Sequence, residues 1–95
     1  MNARYHILIS GDVHGVFFRA FVQEHAQDLD LKGWVKNKRD KDVKQVEAVV
    51  EGDEDKIKEL IEHCRQGPPS STVEKIEIKK QEYTGEFTTF SFEYL

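Results

Sequence analysis

Gly11-Asp12-Val13-His14-Gly15-Val16-Phe17-Phe18-Arg19 decides the fold of this chain, because one kind of periodicity ends in it and another begins. Before it, Tyr5 to Ser10 reads as a short strand rich in Ile and Leu, stopped by Gly11. From Phe18 onward the apolar positions Phe21, Val22, Ala26 and Leu29 recur at three- and four-residue steps, which marks a helix with Gln23, Glu24, Gln27 and Asp28 toward water. A glycine-bracketed loop between strand and helix has the outline of an anion cradle. Successive backbone N–H groups can converge there, and the start of the helix adds donors without internal partners and the positive end of its dipole. Arg19 falls in the first helical turn, where side chains tilt back toward the N-terminus, so its guanidinium fork covers the same anion.

Working outward, Lys32 to Asn37 is a second strand, and Val46, Ala48 and Val50 alternate along a third. Lys38 to Gln45 lies between them as a polar hairpin connection, which makes the pair antiparallel. Gly52-Asp53 ends the third strand and starts a second helix, in which Ile57, Leu60, Ile61 and Cys64 form one apolar stripe until Gly67-Pro68-Pro69 stops it. Ile76 and Ile78 alternate in a fourth strand, Gly85-Glu86 turns the chain, and Phe90, Phe92 and Tyr94 alternate in a fifth. The order βαββαβ with a short final strand predicts an α+β, ferredoxin-like sandwich: an antiparallel sheet with two helices on one face. Each helix stripe needs a sheet face to bury against, and right-handed crossovers put both helices on the same side. That architecture serves many functions and selects none.

Composition narrows the choice. The 95 residues make one domain, 1–95, with one site expected; 38% apolar residues supply a modest core, and 34% charged residues a wet surface. A formal net charge of −4 does not suit a protein that wraps nucleic acid. No apolar run reaches membrane-spanning length and the first residues do not read as a signal peptide, so a cytoplasmic protein is expected, without a membrane partner. Cys64 is the only cysteine, which rules out an internal disulfide and a cysteine-based zinc site; its place in the helix stripe assigns it to packing. His6, His25 and His63 show no metal-ligand spacing and read as boundary histidines.

Two segments carry a family likeness. Gly11-x-Val13-x-Gly15-Val16-x-Phe18-Arg19, followed by Gly33-Trp34-Val35-Lys36-Asn37, resembles the two signature segments of the acylphosphatases. Gly67-Pro68-Pro69-Ser70-Ser71-Thr72-Val73 and the aromatic final strand ending near Tyr94 are similar to that family too. The resemblance implies metal-independent hydrolysis of the carboxyl–phosphate bond of acyl phosphates to a carboxylate and inorganic phosphate, with no cofactor. It implies that the loop Gly11, Asp12, Val13, His14, Gly15, Val16, Phe17, Phe18 and Arg19 binds the phosphoryl group. Arg19 is then anchor and charge stabiliser, and Asn37 orients the attacking water. The loop lacks the Lys-Ser/Thr of a nucleotide P-loop, so a lone phosphate suits it better. A carboxylate leaving group departs without protonation, so the reaction requires no dedicated general acid. Taken singly, each residue has a plainer reading: glycines for a tight turn, an arginine in solvent, an asparagine in a turn. The alternative function is a non-catalytic ferredoxin-like module that binds a phosphate-containing ligand. A monomer is expected, with small acyl phosphates and inorganic phosphate as its partners.

Two departures from the family pattern set expectations of their own. His14 stands where the family has glutamine, and a protonated ring in the cradle would make phosphate binding depend on pH near neutrality. Lys38 to Gln45 reads as a hairpin longer than the family's and without its glycine, whose four basic residues against two Asp raise the local potential. A longer hairpin puts the placement of Asn37 in question.

Overall fold

The structure, a computed structural model, describes residues 1–93. Along the chain run β1 (Asn2–Asp12), α1 (Phe18–Asp28), β2 (Lys32–Asp40), β3 (Val43–Asp53), α2 (Glu54–Gln66), β4 (Thr72–Gln81) and β5 (Phe90–Phe92). The strands form one five-stranded sheet in the order β4-β1-β3-β2-β5. β3 lies between β1 and β2, and β1 between β3 and β4, which is the split βαβ arrangement the element order predicts.

Alternation drives the layering. On β1 and β3, Ile7, Ile9, Val46, Ala48 and Val50 are buried under the helices, where Val22 and Ala26 of α1 and Ile57, Leu60 and Cys64 of α2 meet them. Fully burying a large aliphatic side chain contributes about 1.5–3 kcal/mol, so these stripes hold both helices to the sheet. The opposite face carries no helix and is more polar, although Val49 and Glu51 of β3 are buried on it. Val35 is buried in the core, whereas Trp34 faces outward beneath the Lys36 ammonium, 5.2 Å from its ring centroid. On the same open face Glu47 meets His6 at 2.6 Å and Lys36 at 3.6 Å. Cys64 is a free buried thiol whose pKa burial pushes up to about 12, in keeping with packing rather than chemistry.

The sheet departs from expectation at three places. The four long strands are antiparallel, but β5 pairs with β2 in parallel, so the sheet is mixed. The cause is where the chain crosses: β4 ends beside Arg4, residues 82–89 pass across the end of the sheet where β1 and β2 begin, and β5 must then run alongside β2. Tyr94, expected in the fifth strand, lies outside the described residues.

The long hairpin is the second correction. β2 and β3 stay paired through Lys38–Gln45, Arg39–Lys44 and Asp40–Val43, leaving only Lys41 and Asp42 as the turn. Backbone hydrogen bonding continues the ladder where no hydrophobic alternation marks it, and Val43, its one apolar residue, is exposed. The third is the length of β1 and β4, whose charged ends are paired although no hydrophobic alternation reaches them. At the start of α2, where the sequence places a helix start at Gly52-Asp53, the Asp53 carboxylate accepts the Asp55 amide at 2.9 Å and caps the helix.

Candidate active site

The β1–β4 ladder shifts register between Ser10 and Gly11, with Glu74 of β4 as the extra residue, and β1 ends two residues on at Asp12. Gly11 has φ +138, and a Cβ there would lie 2.2 Å from the Thr72 carbonyl oxygen, so only glycine fits. The chain then turns through Gly15 at φ +69 and Phe17 at φ 61 and ψ 28 to enter the helix. The first bond inside α1 runs from the Phe21 amide to the Phe17 carbonyl at 3.0 Å. The amides ahead of it have no acceptor within the helix, no side chain caps them, and the first turn holds no acidic residue. An anion is therefore attracted to this helix start by donors and dipole alike.

Beside it lies a cavity of about 360 Å³ lined by Val13, Gly15, Phe17, Phe18, Arg19, Ala20, Asn37 and Phe92. Its walls come from the loop, the first turn of α1, the second half of β2 and the end of β5. The half-buried Arg19 sets its guanidinium 5.4 Å from the centroid of the Phe92 ring, a cation–π contact that helps fix its direction. Asn37 is held by the ladder, opposite Val46 of β3, so the extended hairpin leaves its place intact. Among the described residues no three His, Cys, Asp or Glu side chains gather as a metal cage.

The nine loop residues do not share one surface. Val13, Gly15, Phe17, Phe18 and Arg19 meet Asn37 at the cavity, while Gly11 and Asp12 line a separate depression with Asp42, Val43, Lys44 and Glu74. Val16 packs against the core. His14 departs furthest from expectation: its Nε2–H donates to the Gln45 carbonyl oxygen at 2.7 Å, and its ring is not among the groups lining the cavity. A carbonyl oxygen only accepts, so that nitrogen carries the proton. Gln45 in turn donates through Nε2 to Ser10 Oγ at 3.2 Å, tying β3 to β1 just before the bulge. His14 thus fastens the loop to β3 one residue from the partner of Asn37. Sequence reasoning missed Phe92 as a wall of the cavity; its alternation with Phe90 signalled a strand but not which edge of the sheet it joins.

The acylphosphatase family model matches residues 5–92. An acylphosphatase of Syntrophobacter fumaroxidans is 46% identical over 91 residues, covering 96% of this chain and 91% of its own. One of Pelotomaculum thermopropionicum is 39% identical over 98% of both chains. The crystal structure of acylphosphatase from Bacillus subtilis superposes with a TM-score of 0.90 at 36% identity, over 99% of this chain and 100% of that one. A segment amounting to 12% of full-length HypF, in its phosphate- and nucleotide-bound form, matches 99% of this chain with a TM-score of 0.88 at 33% identity. With the family model spanning nearly its whole length and such relatives sharing its fold end to end, this chain belongs to the acylphosphatase family, hydrolases that release phosphate from acyl phosphates.

Proposed function

We propose that water attacks the phosphorus of a bound acyl phosphate in line with the departing carboxylate, while Arg19 holds the phosphoryl oxygens and Asn37 orients the water. The loop amides share the phosphoryl charge with the guanidinium. The bond between phosphorus and the acyl oxygen breaks, its electron pair leaves with the carboxylate, and the water oxygen forms the new bond. An amide is no base, so the proton of the water passes to a phosphoryl oxygen or to solvent. Phosphoryl transfer of this kind has a loose transition state, for which positioning and charge stabilisation supply most of the acceleration. One observation carries the reading: a cation from the start of α1 and a neutral amide from β2 line the same cavity as the glycine loop.

The test is hydrolysis of benzoyl phosphate with chelator present, for the parent, Arg19→Ala and Asn37→Ala, each confirmed as folded by thermal unfolding. Removing one preorganised donor of this type costs about 10²–10³-fold in kcat. Each variant is expected to lose that much, with Arg19→Ala also weakening inhibition by inorganic phosphate and Asn37→Ala leaving it nearly intact. Variants that keep the parent rate, or a parent silenced by the chelator, would break the assignment.

A further inference from the structure

The mechanism above gives the Phe17 side chain nothing to do. Its backbone has a use, because the left-handed conformation turns the chain into α1 and points the Phe17 carbonyl at the Phe21 amide. Glycine or asparagine would meet that need with less strain, and a bulky side chain in this region is an outlier. The ring contributes nothing to the core. It is 83% exposed, whereas Phe18 beside it is 1% exposed. Yet Phe17 is one of the residues that line the cavity, as are Ala20 and Phe92. A phosphoryl group presents charged oxygens, which Arg19, Asn37 and the loop amides suit and apolar walls do not. Strain retained at a binding site, on a residue the fold does not need, calls for a ligand that uses it.

We infer that Phe17 is a specificity-determining residue for the acyl half of the substrate. Its ring, with Ala20 and Phe92, forms an apolar shelf that takes acyl phosphates bearing an aromatic or branched aliphatic group in preference to small acyl groups. The inference rests on the reading of this cavity as the acyl phosphate site. An exposed ring gains most from a flat apolar partner, which covers one of its faces and is itself drawn out of water.

The experiment compares kcat/KM for benzoyl phosphate and for acetyl phosphate in the parent, Phe17→Leu and Phe17→Asn, with Arg19→Ala alongside. The benzoyl-to-acetyl ratio is expected to fall about fivefold from parent to Phe17→Asn, the equivalent of about 1 kcal/mol, with Phe17→Leu between them and the change carried by KM. Asparagine tolerates the left-handed region, so this variant keeps the loop backbone. A ratio that stays constant or rises in Phe17→Asn, whatever the absolute rates, overturns the inference and leaves the site in place. If Arg19→Ala instead turns over both substrates at the parent rate, the site reading itself has failed and the inference falls with it.

Discussion

The two ends of the sheet are finished by irregular segments that are shaped by opposite means. At the site end, residues 11–17 take their course mainly from backbone conformation: positive φ at Gly11, beside the register shift against β4, then at Gly15 and Phe17. At the far end, residues 82–89 are shaped by a side chain. The Glu51 carboxylate, 2% exposed, accepts the Thr84 amide at 2.8 Å, the Thr84 hydroxyl at 2.9 Å and the Gly85 amide at 3.0 Å. Arg4 Nη1 reaches the same carboxylate at 3.3 Å and bonds Glu86 as well. The difference follows from what each segment must present. A loop that offers its amides to an anion cannot commit them to internal acceptors, so it is shaped by backbone geometry and by the His14 tie to β3, which uses none of those amides. A segment that only returns the chain to β5 is free to give its amides to a buried carboxylate.

The largest effect is expected where backbone shape sets the course of the chain. In Gly11→Ala the new Cβ meets the Thr72 carbonyl oxygen at 2.2 Å and the Glu74 amide at 2.9 Å, both main-chain atoms of β4 that no rotamer change can move aside. With the strain of φ +138 added, the substitution costs about 3 kcal/mol. For a domain of this size that lowers Tm by about 12–24 °C. Thermal unfolding checks it, and a variant that melts with the parent would show that the bulge adapts and that the contrast between the two ends is false.

The clamp end predicts a smaller loss with a distinctive pH dependence. Burial opposes ionisation of Glu51, but the Thr84 amide and hydroxyl together with Arg4 outweigh it and hold the carboxyl below its usual range. Glu51→Gln removes the charge from this set of bonds and costs about 2 kcal/mol at neutral pH. Because the folded state binds this proton more weakly than the unfolded chain, the contribution is complete above the ordinary carboxylate range near pH 4.3, and is lost as pH falls through the lower folded value. Glu47 and Glu54 are also held low, Glu54 at about 2, so the parent loses stability in acid from several groups. Tm measured from pH 7 to pH 2 is expected to show the parent and Glu51→Gln converging. A gap that stays constant to the acid end would mean that the clamp does not depend on ionised Glu51.

Legibility in the sequence follows the same contrast. Patterns that repeat within a few residues were readable: the alternation of Val46, Ala48 and Val50, and the stripe of Ile57, Leu60, Ile61 and Cys64. The two signature segments pointed to Arg19 and Asn37, and the structure brings both to one cavity. Contacts between distant residues left no local trace. Glu51 looks like any charged residue at the end of a strand, and nothing near it names Thr84, 33 positions on. His14 finds its acceptor on Gln45, 31 positions on, and a backbone carbonyl has no sequence signature at all. The ladder from Lys38 to Gln45 is paired on residues exposed or polar throughout, so no hydrophobic period could reveal it. A phenylalanine in left-handed backbone is hidden for the opposite reason: the residue type argues against the conformation that it adopts.

The hairpin tip gives the smallest effect and separates strain with a use from strain without one. Lys41 sits at φ 56 in the two-residue turn between Asp40 and Val43, the position where such hairpins favour asparagine or glycine. Its φ is close to that of Phe17, but it lines none of the cavity, and it is exposed. Lys41→Asn keeps the turn and lowers its strain, which should stabilise the fold by about 0.5 kcal/mol and raise Tm by about 2–4 °C. Glycine would gain less, because the unfolded chain also gains freedom. A fall in Tm would show that the Lys41 side chain supports the hairpin against the neighbouring Asp40 and Asp42 charges. A rise would leave Phe17 as the left-handed aromatic kept for what it offers the cavity, because positive φ on a bulky residue is then shown to be improvable at the hairpin, where nothing has to be bound.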